Sequence, residues 1–333
     1  MRWAKIKLKK IFITGGAGYL GSLLVPELLK AGYSVAVYDM YLYGKVLTPH
    51  RQLTEINGDI RDRKKLIEAS KGSDSLIHLA CISNDPSFDL DPKLGKSINY
   101  DAFRNVIDAV KLNGIKRLIV ASSTSQYGVK PIGTDVKEDT EAEPITDYAK
   151  YKIECEKLLQ NSNLGAEYVF IRPATLCGYA PRLRLDLSVN LLTINALISK
   201  KIRVFGGSQM RPALNIKDLV RFIEFLLEAP GEKINGQAFN ISRQNATIMQ
   251  LAEMVKKVIA DDSIEIEVTP SNDPRSYHVS TEKIKKVLGF DCRFTIEDAI
   301  KSIIDAYKKG LIIDGLNNPL YYNIQMMKAV KLK

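Results

Sequence analysis

Two residues four positions apart, Tyr148 and Lys152, have the types and the spacing that proton transfer from a hydroxyl group requires. On one face of a helix, the lysine ammonium favours the phenolate and lowers the pKa of the tyrosine from about 10. A second such pair, Tyr41 and Lys45, lies in a stretch rich in tyrosine and glycine that predicts a loop, where helical spacing has no meaning. We therefore interpret Tyr148 as a general base and Lys152 as its partner. The alternative is a packed tyrosine and a solvated lysine.

A serine-rich segment, Ser122 to Ser125, directly follows the apolar run 117–121. Ligands of open parallel sheets bind beyond the carboxyl ends of the strands, so this segment would border a ligand site. A serine hydroxyl there can hydrogen-bond the substrate hydroxyl that the phenolate deprotonates, while a nicotinamide accepts the hydride.

A glycine-rich turn follows the first apolar run and precedes a helix, with Gly15, Gly18 and Gly21 at three-residue intervals. Glycine allows a tight turn, close approach of the backbone to a pyrophosphate and close packing of helix on strand. The next apolar run ends at Asp39, whose carboxylate can accept hydrogen bonds from a ribose diol and would repel a 2′-phosphate. These residues predict a dinucleotide site that favours NAD over NADP. Plain turn glycines and a surface acid are the alternative.

Two further acids follow the presumed third strand, in the segment 58–62. Asp59 could accept a hydrogen bond from the amino group of an adenine. Capping of the helix that starts near Asp62 is the alternative role for these acids.

Short apolar runs predict the buried strands 10–14, 34–38, 75–79, 117–121 and 168–171. The helical stretches 20–31 and 94–113 each end before a glycine, the residue that commonly adopts the left-handed conformation at a helix end. This alternation predicts an α/β fold, a Rossmann doubly wound parallel sheet with helices on both faces. After Arg172 prolines and glycines interrupt the pattern, which predicts a smaller C-terminal α/β substrate-binding domain.

We expect residues 1–172 and 213–242 to form the NAD-binding domain, and 173–212 and 243–320 the smaller domain. The segment 237–241 could add a strand, and 219–227, apolar nearly all round, should pack against the sheet. The tail 310–333 has little pattern, and we expect it to be partly ordered at best.

The composition excludes several protein classes. Among 333 residues, 45% are apolar and 26% charged, which excludes wholesale disorder, and no apolar run is long enough to span a membrane. The net charge of 48 − 38 = +10 comes from scattered lysines, which favours a solvated surface or a basic cleft for small anions over nucleic-acid binding. Four widely separated cysteines predict neither a metal site nor disulfides, so a reducing cytoplasm is the default location.

Together these residues resemble the extended short-chain dehydrogenase/reductase family, in particular its branch of NAD-dependent nucleotide-sugar epimerases and dehydratases. The resemblance rests on the segments 14–21, 58–62, 78–80, 122–128, 148–152 and 171–173 and on Asn99. It implies that Ser123, Tyr148 and Lys152 are catalytic. The residues expected to bind NAD are Gly15, Gly18, Tyr19, Leu20, Gly21, Asp39, Asp59, Ile60, Leu79, Ala80, Asn99, Tyr148 and Lys152. Asn99 would support the nicotinamide, with capping or packing as the alternative.

The same resemblance implies a nucleotide-diphosphate sugar as substrate and places Asn190, Arg211 and Arg275 at its phosphates, beside Ser123 at its sugar. A guanidinium binds phosphate oxygens bidentately, although surface ion pairs are the alternative for each arginine. Arg182 and Arg184 are further candidates without an assigned role.

Departures from the branch bear on the reaction. Thr124 and Ser125 stand where its 4,6-dehydratases carry an acid pair, so a dehydratase is disfavoured. Tyr151, Cys177 and Asn215 replace a serine, a tyrosine and a histidine that are usual in the branch, and we expect them to alter the pocket walls.

We therefore expect NAD-dependent oxidation at C4 of a nucleotide-activated sugar, most simply a 4-epimerase that reduces the ketone again from its other face. A 4-dehydrogenase or ketoreductase and a non-catalytic NAD-binding redox sensor are the alternatives. The stretch 94–113 also carries a second apolar face, with Tyr100, Phe103 and Ile107, which predicts a homodimer.

Overall fold

Strands and helices alternate through the first half of the chain, as the apolar periodicity predicts. The computed structural model describes residues 8–131, 134–271 and 276–330. The strands are β1 Lys10–Thr14, β2 Ser34–Asp39, β3 Leu53–Asn57, β4 Ser75–His78, β5 Arg117–Ala121, β6 Asp135–Val136, β7 Glu167–Pro173, β8 Thr175–Cys177, β9 Lys201–Phe205, β10 Met210–Asn215, β11 Gln237–Ile241, β12 Gln244–Thr247, β13 Glu265–Thr269 and β14 His278–Val279. The helices are α1 Gly21–Lys30, α2 Arg63–Ala69, α3 Asp85–Phe88, α4 Pro92–Lys96, α5 Phe103–Asn113, α6 Asp147–Gln160, α7 Ser188–Ser199, α8 Ile216–Glu228, α9 Gly231–Ile234, α10 Ile248–Ile259, α11 Ile296–Lys308 and α12 Asn323–Val330.

Seven of the strands form one parallel sheet in the order β11-β7-β5-β4-β1-β2-β3. Successive side chains of a strand point to opposite faces, and β1 shows this directly: Ile11 and Ile13 belong to one core cluster and Phe12 to the other. Helices α1 and α8 cover the first face, while α5 and α6 cover the second. The Rossmann architecture is therefore confirmed.

The direction of strand order changes at β1, which lies between β2 on one side and β4 on the other. In doubly wound sheets this change opens a crevice at the carboxyl ends of the strands. The glycine-rich turn, the segment after β4 and the serine-rich segment after β5 all leave the sheet at this edge.

The region after β7 contains shorter elements. Strands β12, β10 and β8 form a three-stranded sheet and β13 pairs with β9, and helices α7, α10 and α11 pack around their common core. Strand β11 returns to the large sheet beside β7. These elements are compatible with a smaller C-terminal unit, and the exact division into two domains stays a prediction.

The expected helix over 94–113 is interrupted in the structure. Residues Ser97–Asp101 form a π-helical turn between α4 and α5, and Gly114 ends α5 with a φ of +61°. Phe103 and Ile107 are buried in the core of the same chain. The apolar face that suggested a homodimer is thus largely covered within the protomer.

The C-terminal tail differs from expectation. Ile312 and Asn323 are buried, and residues 323–330 form α12. The apolar periodicity of this segment is too sparse to predict an ordered tail. Hydrogen bonds to distant loops contribute much of the order. Among the described residues, none of the helices combines the length and the apolarity of a membrane span.

Candidate active site

A cavity of about 530 Å³ lies at the crevice, at the carboxyl ends of β1, β4 and β5. It brings together most of the residues that the sequence singled out. The expected residues that line it are Gly15, Gly18, Tyr19, Leu20, Gly21, Asp39, Asp59, Ile60, Leu79, Ala80, Ser123, Tyr148, Lys152 and Arg211. Arg275 lies outside the described residues.

Helix α6 places Tyr148 and Lys152 in the cavity wall. Thr146 caps the helix, because its Oγ1 accepts a hydrogen bond from the N–H of Ala149 at 3.2 Å. One turn separates the two functional side chains, and Lys152 Nζ lies 5.7 Å from the centre of the Tyr148 ring. Lys152 Nζ also donates a hydrogen bond to the backbone oxygen of Ala121 at 2.8 Å.

Burial and charge have opposite effects on the Tyr148 phenol. Burial raises the pKa of Tyr148 to about 12, and the nearby charge of Lys152 lowers it in part. The pKa of Tyr148 is therefore above 10 and not below it as expected, because desolvation outweighs the attraction of the ammonium. For Lys152, burial lowers the pKa, but Cys81 and Tyr148 outweigh this and raise it overall. The lysine is therefore a cation at neutral pH.

Ser123 lies beside this pair in the cavity wall, at the start of the 3₁₀ turn Thr124–Tyr127. Its Oγ accepts a hydrogen bond from the N–H of Ser125 at 3.1 Å and lies 2.9 Å from Ser125 Oγ. These contacts hold the hydroxyl at the end of β5, in the wall of the cavity.

A buried ion pair connects the serine-rich segment to α6. Arg172 at the end of β7 donates to Glu156 of α6, with Nη2 2.6 Å and Nε 3.1 Å from the carboxylate oxygens. Ser122 Oγ donates to the same carboxylate. Arg172 Nη1 also donates to Tyr127 Oη at 2.8 Å. The network fixes the distance between Ser123 and the helix that carries Tyr148.

The glycine-rich turn packs tightly against the segment after β4. Gly15 has a φ of +74°, and a Cβ atom there would lie 2.5 Å from the backbone nitrogen of Ala80. Leu20 and Gly21 begin α1 at the cavity wall. The first N–H groups of a helix have no acceptor within the helix, so this end of α1 favours an anion.

Asp39 closes the same turn from the end of β2. Its Oδ2 accepts from the N–H of Ala17 at 2.9 Å and its Oδ1 from the N–H of Tyr41 at 2.8 Å. Burial raises the pKa of this carboxyl, against the effect of those two hydrogen bonds. A glycine turn, a helix N-terminus and an acid at the next strand end together fit a dinucleotide such as NAD.

A family comparison agrees with this geometry. A sequence model of the NAD dependent epimerase/dehydratase family matches residues 11–242. The chain belongs to this family. It is thus an NAD-dependent enzyme of the epimerase/dehydratase type, with NAD as its cofactor.

Relatives and solved structures extend the likeness over most of the chain. The UDP-glucose 4-epimerase of Lacticaseibacillus casei is 26% identical over 323 residues, covering 89% of this chain and 94% of that one. The UDP-glucose 4-epimerase structure from Thermotoga maritima, solved with UDP-glucose, has a TM-score of 0.81 at 24% identity and covers 91% and 99%. The dTDP-glucose 4,6-dehydratase DesIV of Streptomyces venezuelae, solved with NAD, has a TM-score of 0.82 at 21% identity and covers 93% and 99%. At these identities the two structures show the fold.

Asp59, which we expect at the adenine, is held by Arg61 of its own loop. Its Oδ2 accepts from Arg61 Nε at 2.8 Å and from Nη2 at 2.6 Å, and its Oδ1 accepts from the N–H of Arg61. The carboxylate is thus engaged by its own loop, although it lines the cavity. Asp62 caps α2 by accepting from the N–H of Lys65 at 3.0 Å, as the alternative interpretation expected.

Two asparagines do not line the cavity. Asn99 donates to the backbone oxygen of Ile82 at 2.9 Å and accepts from its N–H at 2.8 Å, so it supports the loop beside the site without facing it. Asn190 is fully buried; its amide donates to Tyr19 Oη and to a backbone oxygen and accepts from the N–H of Gly178. Its donors and acceptor are thus occupied within the fold, and its expected contact with the substrate phosphate stays a prediction.

The three residues that depart from the family pattern also lie elsewhere. Tyr151 stacks on Tyr100, Cys177 is buried against Leu214, and Asn215 caps α8. The cavity lining includes none of the three, so the expectation that they alter the pocket walls is wrong.

A cluster that the sequence left without a role does line the cavity. Its members are Tyr43, Ser83, Arg182, Arg184, Asp186 and Asn323. The pattern Arg182-Leu-Arg184-Leu-Asp186 was a usable signal, because three charged residues alternate there with leucines. Asn323 carried no such signal.

Proposed function

We propose that this enzyme is a nucleotide-sugar 4-epimerase that oxidises the C4 hydroxyl of a UDP-hexose and reduces the ketone from the opposite face. The observation that carries the proposal is the joint placement of Tyr148, Lys152 and Ser123 in the cavity that also contains the glycine-rich turn. Membership of the family supports it, as do full-length relatives named UDP-glucose 4-epimerase.

In this proposal Tyr148 is the residue that moves the proton. Its phenolate takes the proton from the C4 hydroxyl, and its phenol returns it when the ketone is reduced. Lys152 stabilises the phenolate by its charge, and Ser123 Oγ donates a hydrogen bond to the substrate oxygen. NAD, when bound, accepts the hydride from C4 and returns it.

We further propose that Gly15, Gly18, Leu20 and Gly21 bind the cofactor diphosphate and that Asp39 binds a ribose diol. For the nucleotide sugar, the structure supports Arg211 as a phosphate contact, because its side chain reaches the cavity from β10. A 4,6-dehydratase is less well supported, since Ser125, beside Ser123, carries a hydroxyl where that reaction needs an acid.

The decisive experiment is turnover of UDP-glucose and UDP-galactose by the purified enzyme, followed by ¹H NMR of the anomeric signals. We expect interconversion without net reduction of added NAD. Tyr148→Phe should lower turnover by about 10²–10⁴-fold while NAD binding is kept. Tyr151→Phe is the matched control, on the same helix but outside the cavity, and should leave turnover unchanged.

Other outcomes of this experiment have a clear meaning. Net accumulation of NADH with a released ketone would replace the epimerase proposal by a 4-dehydrogenase. Normal turnover in Tyr148→Phe would overturn the proposed mechanism. NAD binding without turnover of either sugar would count against this substrate class.

We also propose a cytoplasmic homodimer. The stacked rings of Tyr100 and Tyr151, with centres 5.4 Å apart and both half-buried, are an aromatic surface suited to a second protomer. All four cysteines lie in the described part of the chain and are free, which suits a reducing compartment. Light scattering at the protomer mass of 37.2 kDa would contradict the dimer.

A further inference from the structure

Two arginines of the segment after β8, Arg182 and Arg184, are buried in the cavity wall, with 4% and 7% of their surface exposed. A buried guanidinium is costly unless acceptors match its charge and its five N–H donors. Arg184 meets this condition. Its Nε and Nη2 donate to the two carboxylate oxygens of Asp186 at 2.9 and 3.1 Å, and its Nη1 donates to Ser83 Oγ at 3.1 Å.

Arg182 is not matched in this way. Within the three described ranges, its guanidinium forms no ion pair, its Nη2 donates to Asn323 Oδ1 at 2.5 Å, and its Nε has no partner. The guanidinium carbon lies 3.5 Å from the centre of the Tyr43 ring. Burial lowers the pKa of Arg182 to about 10, so the side chain is still cationic at neutral pH. A positive charge without a carboxylate partner therefore faces the cavity.

The position of Arg182 indicates which anion can reach it. Its backbone N–H donates to Ser22 Oγ at 3.1 Å, and Ser22 lies in the first turn of α1. Tyr43, against its guanidinium, follows the strand that ends at Asp39. The backbone of Arg182 thus lies at the first turn of α1, and its charge is close enough to Asp39 of β2 to lower the pKa of that carboxyl in part. In a dinucleotide site the pyrophosphate lies at that helix end and a ribose at that acid.

We propose that Arg182 binds the diphosphate of NAD and that Asn323 of α12 is its positioning residue. Asn323 Oδ1 accepts from Arg182, its Nδ2 donates to Ser83 Oγ at 3.0 Å, and its backbone N–H donates to Asp186 Oδ2 at 3.2 Å. The C-terminal helix thereby holds the arginine against the loop after β4. The inference rests on NAD as cofactor and not on epimerisation, so loss of the epimerase proposal leaves it intact.

The test is binding by isothermal titration calorimetry with Arg182→Met, which removes the charge and keeps a long side chain. We expect affinity for NAD and for ADP-ribose, which both carry the diphosphate, to fall by about 10- to 100-fold. Adenosine, followed by ligand-observed NMR, should bind as before. The salt dependence of NAD affinity should also weaken, because an ionic contact is lost. Arg203→Met, an exposed arginine of β9, is the control and should change nothing.

The nucleotide sugar also carries a diphosphate. The affinity for UDP is therefore measured in the same variant and compared with the affinity for NAD. An equal or larger loss of UDP affinity in Arg182→Met would overturn the assignment to NAD, as would unchanged affinity for NAD. If that variant does not fold, Arg182→Lys keeps a cation without the planar fork. It should weaken NAD and ADP-ribose severalfold, and unchanged affinity would overturn the contact.

The positioning role of Asn323 has its own measurement. Asn323→Ala should weaken NAD binding, and combining it with Arg182→Met should add no further loss, because both changes remove one contact. Additive losses would mean that Asn323 acts on the site independently of Arg182, which would overturn its positioning role.

Discussion

The ammonium nitrogen of Lys152 donates a hydrogen bond to the backbone oxygen of Ala121 at 2.8 Å. Ala121 ends β5, so this bond ties α6 to the strand that leads into Ser123. The bond leaves the charge beside the ring of Tyr148, at 5.7 Å from its centre. Contacts within the protein therefore hold the candidate catalytic groups in a defined arrangement.

Lys152→Met should move the pH dependence of turnover to higher pH. Burial raises the pKa of Tyr148 to about 12 and the charge of Lys152 lowers it, so removal of that charge raises the pKa further. The phenolate fraction at a given pH then falls, and turnover near pH 8 should drop by about 10²–10⁴-fold. The pH profile of kcat/KM checks this. Lys150→Met, exposed on the same helix, is the control, and a superimposable profile for Lys152→Met would contradict the role of the lysine.

Gly15→Ala should abolish NAD binding and destabilise the fold. The change combines a φ of +74° with a Cβ atom 2.5 Å from the backbone nitrogen of Ala80. Gly32→Ala is the matched control, with a φ of +89° and no atom within 4 Å of the new Cβ, so it should lose only about 1–2 kcal/mol from backbone strain. Urea unfolding and calorimetry with NAD measure the two effects. Equal stability and equal NAD affinity of the two variants would show that the close packing of Gly15 against Ala80 contributes to neither.

Glu156→Gln should lower the free energy of unfolding by about 3–5 kcal/mol, because it leaves the charge of Arg172 buried without its partner. The exposed pair of Glu154 and Lys157, at 3.2 Å on the same helix, provides the comparison. Glu154→Gln should cost less than about 1 kcal/mol. Urea unfolding of both variants decides the matter, and similar losses would argue against a structural role of the buried pair.

Because of His78, the free energy of unfolding should fall as the pH drops from 6.5 towards 3. Burial and the charge of Lys152 lower the pKa of His78 from 6.5 to about 3, so the folded protein keeps this ring neutral. Above pH 6.5 its contribution to stability is fully present; as the pH falls towards 3, the unfolded chain binds a proton that the folded protein does not, and stability declines. His78→Gln should remove about one proton from the slope of unfolding free energy against pH. An unchanged slope between pH 6.5 and 4 would contradict this.

Local features of the sequence predicted most of the fold. Apolar runs such as 117–121 form strands because the residues themselves favour a buried extended backbone, and Gly15 marks its turn because few other residues adopt a positive φ. The spacing of Tyr148 and Lys152 is also local, since one helix carries both. For that reason these parts of the candidate site could be located from sequence.

Other parts depend on contacts between distant segments, which no local pattern reveals. The amide of Asn190 is occupied by Tyr19 and Gly178, so its availability for a substrate could not be judged from its neighbours in sequence. The same holds for the pKa of Tyr148. Whether that pKa is raised or lowered depends on how deeply the folded chain buries the ring. The contact of Asn323 with Ser83 spans 240 residues and was missed for this reason.

The contact between Asn323 and Ser83 also affects folding during synthesis, because its two residues are made 240 positions apart. The central sheet lacks its edge strand until residues 237–241 have left the ribosome, and the loop after β4 lacks its last hydrogen-bond partner until Asn323 has done so. Domains generally fold as units during synthesis, from the N-terminal end. A nascent chain therefore acquires its finished cofactor pocket only after residue 323 has been made, and a chain truncated before that residue lacks the contact with Ser83.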